Sequence, residues 1–423
     1  MPEIVALENL EFAQWIRPGE TVMWGQANAE PLPLTQTLMR QRNDVGHFRV
    51  VLGIDRSATC QVEHADCVEF ISYCGAGANR ALADAGVLRI LPSHYSTFAK
   101  MLANGELRVD VLILQVAPAD REGRFSLSLS CEYLLGCVDN ARLVIAEVNE
   151  QAPWTYGERT LEARDLDVIV HTNRPLNESR PATLRETDQL IASHIAGLVD
   201  DGATLQTGIG SIPDAALSAL AQHRDLGVHS GSLSDGIAAL MQAGAITNRR
   251  KPIDPGISVG GVLMGSEALY TFAHNNPAIA LRATQYTHDA DVLANFDRFV
   301  SINSAVEVDL TGQINSEVAS GSYVGAVGGA LDFTRAAHRS RGGLPIIALP
   351  ATAGTQSRIV HRISGPVTIG RSDAGLIVTE FGVADLRGLT LDQRVKKMLA
   401  IAHPAHRAAL EHAIETNSGS RHA

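Results

Sequence analysis

Short runs of β-branched and aliphatic residues recur along the chain: RVVLGI at 49–54, VDVLILQV at 109–116, ARLVIAEV at 141–148 and LDVIVHT at 166–172. FVSINSAVEV at 299–308, LPIIALP at 344–350 and GLIVTE at 375–380 follow in the second half. Most are apolar at successive positions, the pattern of strands covered on both faces. Helical patterns fill many of the intervals, so the chain is expected to be an α/β protein with largely parallel sheets.

A polar, proline-bearing stretch, TNRPLNESRPA at 172–182, interrupts this alternation near the middle. A helix is expected beyond it, opened by a capping box at Thr183 and Glu186 and carrying Leu190, Ile191, Ile195 and Leu198 on one face. The domain boundary is placed there, giving units 1–182 and 183–423. The halves share a faint duplication: PGETVMWGQANAEPLPLTQTL at 18–38 against DGATLQTGIGSIPDAALSAL at 201–220. Gly19, Thr21 and Gly25 match Gly202, Thr204 and Gly208 at identical spacing, and Pro31 and Pro213 agree to within one residue. Each half therefore repeats a strand, a glycine turn and a proline-started helix. The expected architecture is two related open α/β domains with the active-site cleft between them, at the carboxyl ends of the strands.

Charge narrows the partners. A formal charge of −11 and a pI near 5.7 leave no basic stripe to neutralise a nucleic-acid backbone. No apolar run approaches the roughly 18–20 residues of a membrane span. The start, MPEIVALENLEF, has early acids in place of a basic leader. The five cysteines (Cys60, Cys67, Cys74, Cys131 and Cys137) are sparse and odd in number, which fits reduced thiols in the cytoplasm. Cys60, His64 and Cys67 lack the second pair a zinc site needs, so no metal is expected.

Candidate chemistry gathers at two glycine-rich turns. GIGSIPDA at 208–215 sets two glycines before a helix start, where backbone N–H groups attract phosphate or a developing oxyanion. It departs from the dinucleotide fingerprint, because Ile212-Pro213 stands where the third glycine belongs. GSYVGAVGGALDF at 321–333 carries Gly321, Gly325, Gly328 and Gly329, a density that implies close approach to a ligand or another segment. Arg335, Arg339, Arg341 and Arg358 follow; they suit a solvated face or phosphates. His403 and His406, beside a proline, read as helix-start and surface residues, and no GxSxG elbow occurs.

Taken together, LVIAEVNEQAPWTYGE at 143–158, TLQTGIGSIPDAALSAL at 204–220, GVHSGSLSDG at 227–236, FVSINSAVEVDLTGQINSE at 299–317, GAVGGALDF at 325–333, VTEFGVADLRG at 378–388 and IAHPAHR at 401–407 resemble the acetyl-CoA hydrolase/transferase family. These are class I CoA-transferases, and the stretches span nearly the whole chain in the family's order. The resemblance implies an acyl-CoA thioester bound as substrate in the cleft, no tightly bound cofactor, a small carboxylic acid as second substrate, and a homodimer. It assigns the CoA site to Gly208, Ile209, Gly210, Ser211, Ile212, Gly328 and Gly329, with Asn303 and Arg358 as further candidates.

The resemblance also implies that a glutamate in HSE-x-x-SDG attacks the acyl-CoA. It would form an anhydride, then a glutamyl-CoA thioester, and then pass CoA to a second acid. Here His229-Ser230 and Ser234-Asp235-Gly236 match, but Gly231 stands at the glutamate position and cannot act as a nucleophile. Ala330 likewise stands where relatives often carry glutamine. Three functions follow: a CoA-transferase with a non-standard or missing nucleophile, an acyl-CoA hydrolase, or a non-catalytic CoA-binding protein. Glu63 and Glu30 are the replacement carboxylates considered, with Glu317 weaker; His229 is the nearest base for a hydrolase.

Overall fold

The computed structural model describes residues 1–179 and 183–418. The end of the stretch taken as the domain boundary, 180–182, lies outside the described residues.

The first half is built on an eight-stranded sheet: Glu3–Ile4 (β1), Thr21–Trp24 (β2), Phe48–Leu52 (β3), Val68–Ser72 (β4), Leu88–Ile90 (β5), Val111–Val116 (β6), Leu143–Asn149 (β7) and Val168–Thr172 (β8). Its order is β1-β8-β7-β6-β2-β3-β4-β5, and every pairing is parallel. Buried side chains on the two faces of this sheet enter separate apolar clusters: Leu112 and Leu114 join one, Val111 and Ile113 the other. That alternation is why VLILQV reads as a continuous apolar run.

The second half carries a six-stranded sheet: Thr204–Thr207 (β9), Gly227–Val228 (β10), Phe299–Ser304 (β11), Leu344–Ala348 (β12), Leu376–Thr379 (β13) and Gly382–Asp385 (β14). The order is β10-β9-β11-β12-β13-β14, parallel except for the last hairpin. Aligning β2 with β9 brings five strands of each half into the same order. The run β8-β7-β6-β2-β3 matches β13-β12-β11-β9-β10. The faint repeat in sequence is therefore a repeat of topology, with Thr21 and Thr204 opening equivalent central strands.

Two details differ from the sequence reading. The helix after the linker, Glu186–Ala196, is capped by Arg185 and Asp188, not Thr183 and Glu186: the Arg185 backbone N–H donates to Asp188 Oδ2 at 3.1 Å. FVSINSAVEV also divides, because Glu307–Asp309 leaves the main sheet and pairs with Ile314–Asn315 and Ile359–Val360.

Backbone pairing crosses between the halves. Tyr156–Gly157 adds to Ser258–Gly260 and Ile279–Leu281 as a third parallel strand. The Cys131 N–H donates to the Gly261 carbonyl at 2.9 Å, and the Tyr95 N–H to the Gly328 carbonyl at 3.0 Å. These ties fix the two sheets around a shared cavity.

Candidate functional site

The carboxyl ends of β2, β9 and β11 lead into this cavity of about 280 Å³. From the second half come Gly208 and Ile209 after β9, Asn303 near the end of β11, Gly231, and the 325–330 turn before the helix Ala330–Arg339. Gln26, Tyr95 and Glu132 close it from the first half. Both glycine turns thus reach one chamber, with Gly231 and Ala330 in its wall.

Gly208 is small for a reason the sequence did not show. A Cβ there would lie 2.9 Å from Asn303 Oδ1, and Asn303 exchanges amide hydrogen bonds with Gln206 at 2.9 and 3.2 Å. The glycine therefore makes room for an amide pair bridging β9 and β11 at the cavity mouth. Gly208→Val is expected to displace that pair and weaken CoA binding by at least about tenfold in a folded protein. Isothermal titration with CoA reads it; unchanged affinity contradicts this placement.

The remaining candidates separate. Gly210, Ser211 and Ile212 fall outside the wall, at the start of the helix Ser211–Ala219. Arg358 also lies outside it; burial lowers its basicity, with Arg185 nearby acting in the same direction, and it has no carboxylate partner among the described residues. Glu63 does not fit as a replacement nucleophile. It is exposed on the short helix Val62–Asp66, away from the cavity. Glu30 is buried but engaged by Thr35 and Ser57, and Glu317 by Tyr323 and Thr368; neither lines the chamber. His229 is fully buried behind the wall, its Nε2 3.1 Å from the Thr287 carbonyl and its ring against Tyr286 and Phe296. Burial holds it down to about 3, so it is a packing residue and not the cavity's base.

Two residues that the sequence reading missed stand in the wall beside Gly231. The His288 ring fills the space a side chain at 231 would enter: a Cβ there would lie 3.1 Å from Cε1 and 3.4 Å from Nε2. Its Nδ1 is 2.9 Å from Thr287 Oγ1, and its ring packs on Phe333 at 4.4 Å and Tyr95 at 5.1 Å. Glu132 accepts hydrogen bonds from Tyr95 Oη at 2.5 Å, Gln26 Nε2 at 2.7 Å and Ser130 Oγ at 2.7 Å. Burial raises its carboxyl above the ordinary range, against the opposing pull of those three donors. Its backbone adopts φ 24°, in the left-handed region that costs a non-glycine residue about 1 kcal/mol or more. Neither residue carries a motif: SLSCEYL and QYTHDAD offer no spacing that marks a site, and only the fold brings them to Gly231.

His288 supplies a pH test. Burial, with neighbouring His229, lowers it from 6.5 to about 3. The unfolded chain therefore takes up this proton first, so the stability held by neutral His288 is complete above pH 6.5 and is lost as pH falls. Relative to wild type, His288→Asn should gain about 2 kcal/mol between pH 7.5 and pH 5, measured by urea unfolding. A pH-independent difference would mean that the imidazole is not held neutral.

Among the described residues no cluster of three His, Cys, Asp or Glu side chains could hold a metal ion, and no helix is long and apolar enough to cross a membrane. All five cysteines are free.

Comparison with known proteins places this architecture. Residues 6–177 match the acetyl-CoA hydrolase/transferase N-terminal domain, and residues 265–414 match the C-terminal domain of the same name. The chain is 40% identical over 338 residues to the 4-hydroxybutyrate coenzyme A transferase of Clostridium kluyveri, covering 79% of each protein. It is 36% identical to a succinyl-CoA:acetate/propanoyl-CoA:succinate CoA transferase of Fasciola hepatica, over 81% of this chain and 72% of that one. Among solved structures, RipA from Yersinia pestis superposes with a TM-score of 0.93 at 34% identity, covering 98% of both chains. The 4-hydroxybutyrate CoA-transferase of Porphyromonas gingivalis does so with 0.82 at 33%, again over 98% of both. With both domain models matched and relatives aligned along most of its length, the chain belongs to the acetyl-CoA hydrolase/transferase family.

Proposed function

We propose that this protein moves CoA between an acyl-CoA thioester and a small carboxylic acid, in a centre where Gly231 replaces the family's attacking glutamate. The observation that carries this reading is the convergence of Gly208, Gly231 and the Gly328-Gly329 turn on one cavity between the two sheets. The small residues leave room for the thioester, and the Asn303 and Gln206 amides offer hydrogen-bond partners for its polar atoms. The CoA site comprises the wall residues Gly208, Ile209, Asn303, Gly328 and Gly329 and extends past the wall to Gly210, Ser211 and Ile212 at the adjoining helix start. Arg358, a partly buried guanidinium without a carboxylate partner among the described residues, serves the CoA phosphates.

The chain divides at 182/183 into two family domains, supported by the repeated strand order on either side. It works as a cytoplasmic homodimer: the five free cysteines support a reducing compartment, and family resemblance supports the association. Sedimentation at micromolar concentration should show a dimer; a single 45.1 kDa species overturns that part.

Activity is tested by incubating the protein with acyl-CoA, with and without a panel of carboxylates, and following free thiol and new CoA esters. New esters that require an added acid support the transferase. Thiol release without an acceptor supports the hydrolase, an activity named for a Yarrowia lipolytica relative at 25% identity. CoA binding without turnover identifies a non-catalytic protein.

A further inference from the structure

We propose that Glu132, carried by the first half of the chain, is the nucleophilic carboxylate of this centre, acting in place of the side chain that Gly231 lacks. The proposal rests on the transferase reading and names the residue that reading leaves open. Glu132 and Gly231 line the same cavity, and Gly261 lies between them. The Gly261 N–H donates to the Gly231 carbonyl at 2.9 Å, and a Cβ at Gly261 would lie 3.5 Å from Glu132 Cβ. The Glu132 carbonyl accepts from the Thr284 N–H at 3.2 Å, so the residue is anchored to the second half next to His288.

Three features set Glu132 apart from an ordinary core residue. It is only 2% exposed, and no arginine or lysine pairs with it among the described residues. A buried carboxylate without a cation is costly, and such groups concentrate at functional sites. Its left-handed backbone adds a second cost at the same residue. Three donors also hold the carboxylate, while an ionised carboxylate offers about four acceptor positions, so one lone pair is left for attack. Burial disfavours the ionised carboxylate, and the three donors oppose that effect by favouring the charged form that attacks.

The chemistry balances without any further reactant. A Glu132 oxygen attacks the thioester carbonyl, the C–S bond breaks, and CoA thiolate leaves behind an acyl-glutamyl anhydride. The thiolate attacks the glutamyl carbonyl, the anhydride C–O bond breaks, and the first carboxylate departs from a glutamyl-CoA thioester. The second acid's carboxylate attacks that thioester and again expels thiolate, forming a new anhydride. The thiolate then attacks the new acyl carbon, releasing the new acyl-CoA and the Glu132 carboxylate.

Borohydride treatment of wild-type protein during incubation with acyl-CoA should reduce residue 132 to the alcohol, detected by peptide mass. Glu132→Gln should lose exchange by at least about a thousandfold, the scale expected for a covalent nucleophile, while keeping CoA binding. Should that variant fail to fold, the wild-type adduct decides. Reduction at another residue, no adduct, or full exchange by a folded Glu132→Gln protein overturns the proposal. Wild-type protein that releases thiol but makes no new ester overturns the transferase reading instead; an adduct at residue 132 in that case still supports Glu132, and its absence counts against it.

Discussion

Glutamate placed at position 231 is expected to fail alone and to become reactive once His288 is cut back. The backbone at Gly231 lies outside the left-handed region, so a side chain meets no conformational penalty there. The obstacle is steric. The new Cβ would stand 3.1 Å from His288 Cε1, and that ring is held by Thr287 on one side and by Phe333 and Tyr95 on others. The ring already occupies the open side of Gly329, where an added Cβ would lie 2.5 Å from His288 Nε2. Gly231→Glu should therefore lose about 1–3 kcal/mol of stability to overpacking and show no acyl-CoA-dependent adduct at residue 231. Adding His288→Ala removes the imidazole and restores a path into the cavity. With Glu132→Gln also present, so that residue 132 cannot compete, borohydride should trap an adduct at residue 231. An adduct in the single variant would show that His288 yields easily. None in a folded, CoA-binding triple variant would mean that position 231 no longer faces the thioester carbon.

The sequence revealed those parts of this centre that depend on local pattern. Apolar runs at 109–116 and 141–148 became β6 and β7 because a strand buried on both faces must be apolar at every position. The strands β4, VEFIS, and β14, GVAD, passed unread: one is interrupted by half-buried Glu69, and the other is a short edge hairpin with a polar end. The repeat of Thr21 in Thr204 survived because each opens an equivalent strand before a glycine turn. Glu63 looked plausible by its acidity alone, yet its exposed position was set by how β4 docks beside β3. Glu132 and His288 gave no local signal. Glu132 becomes a neighbour of Gly231 only where the 130–132 segment of the first half hydrogen-bonds to the 261–284 region of the second, whereas His288 reaches it by packing within the second half. A vacancy at one sequence position can thus be filled, or bypassed, by residues distant in the chain.

That dependence on contact between the halves makes Gly75 a sensitive position outside the chemistry. Its N–H donates to the Gly325 carbonyl at 2.8 Å, and neighbouring Cys74 bridges Ala326 in the wall of the cavity. A Cβ on Gly75 would lie 2.2 Å from the Tyr323 carbonyl oxygen and 2.8 Å from its carbon. Both atoms are backbone, so no rotamer change relieves the clash. The Tyr323–Gly329 turn must move, taking with it the Gly328 carbonyl that accepts from Tyr95. Gly75→Ala should therefore cost about 3 kcal/mol or more and sharply reduce CoA affinity. Gly86→Ala is the matched control. Gly86 has φ 72° but open space at its Cβ position, so alanine there meets backbone strain without a clash. It should cost only about 1–2 kcal/mol and leave CoA binding intact. Denaturant unfolding and CoA titration of the two variants separate the effects. Equal losses in both would mean that the seam between the halves tolerates displacement, and that the cavity does not depend on the 323–329 turn holding its place against β4.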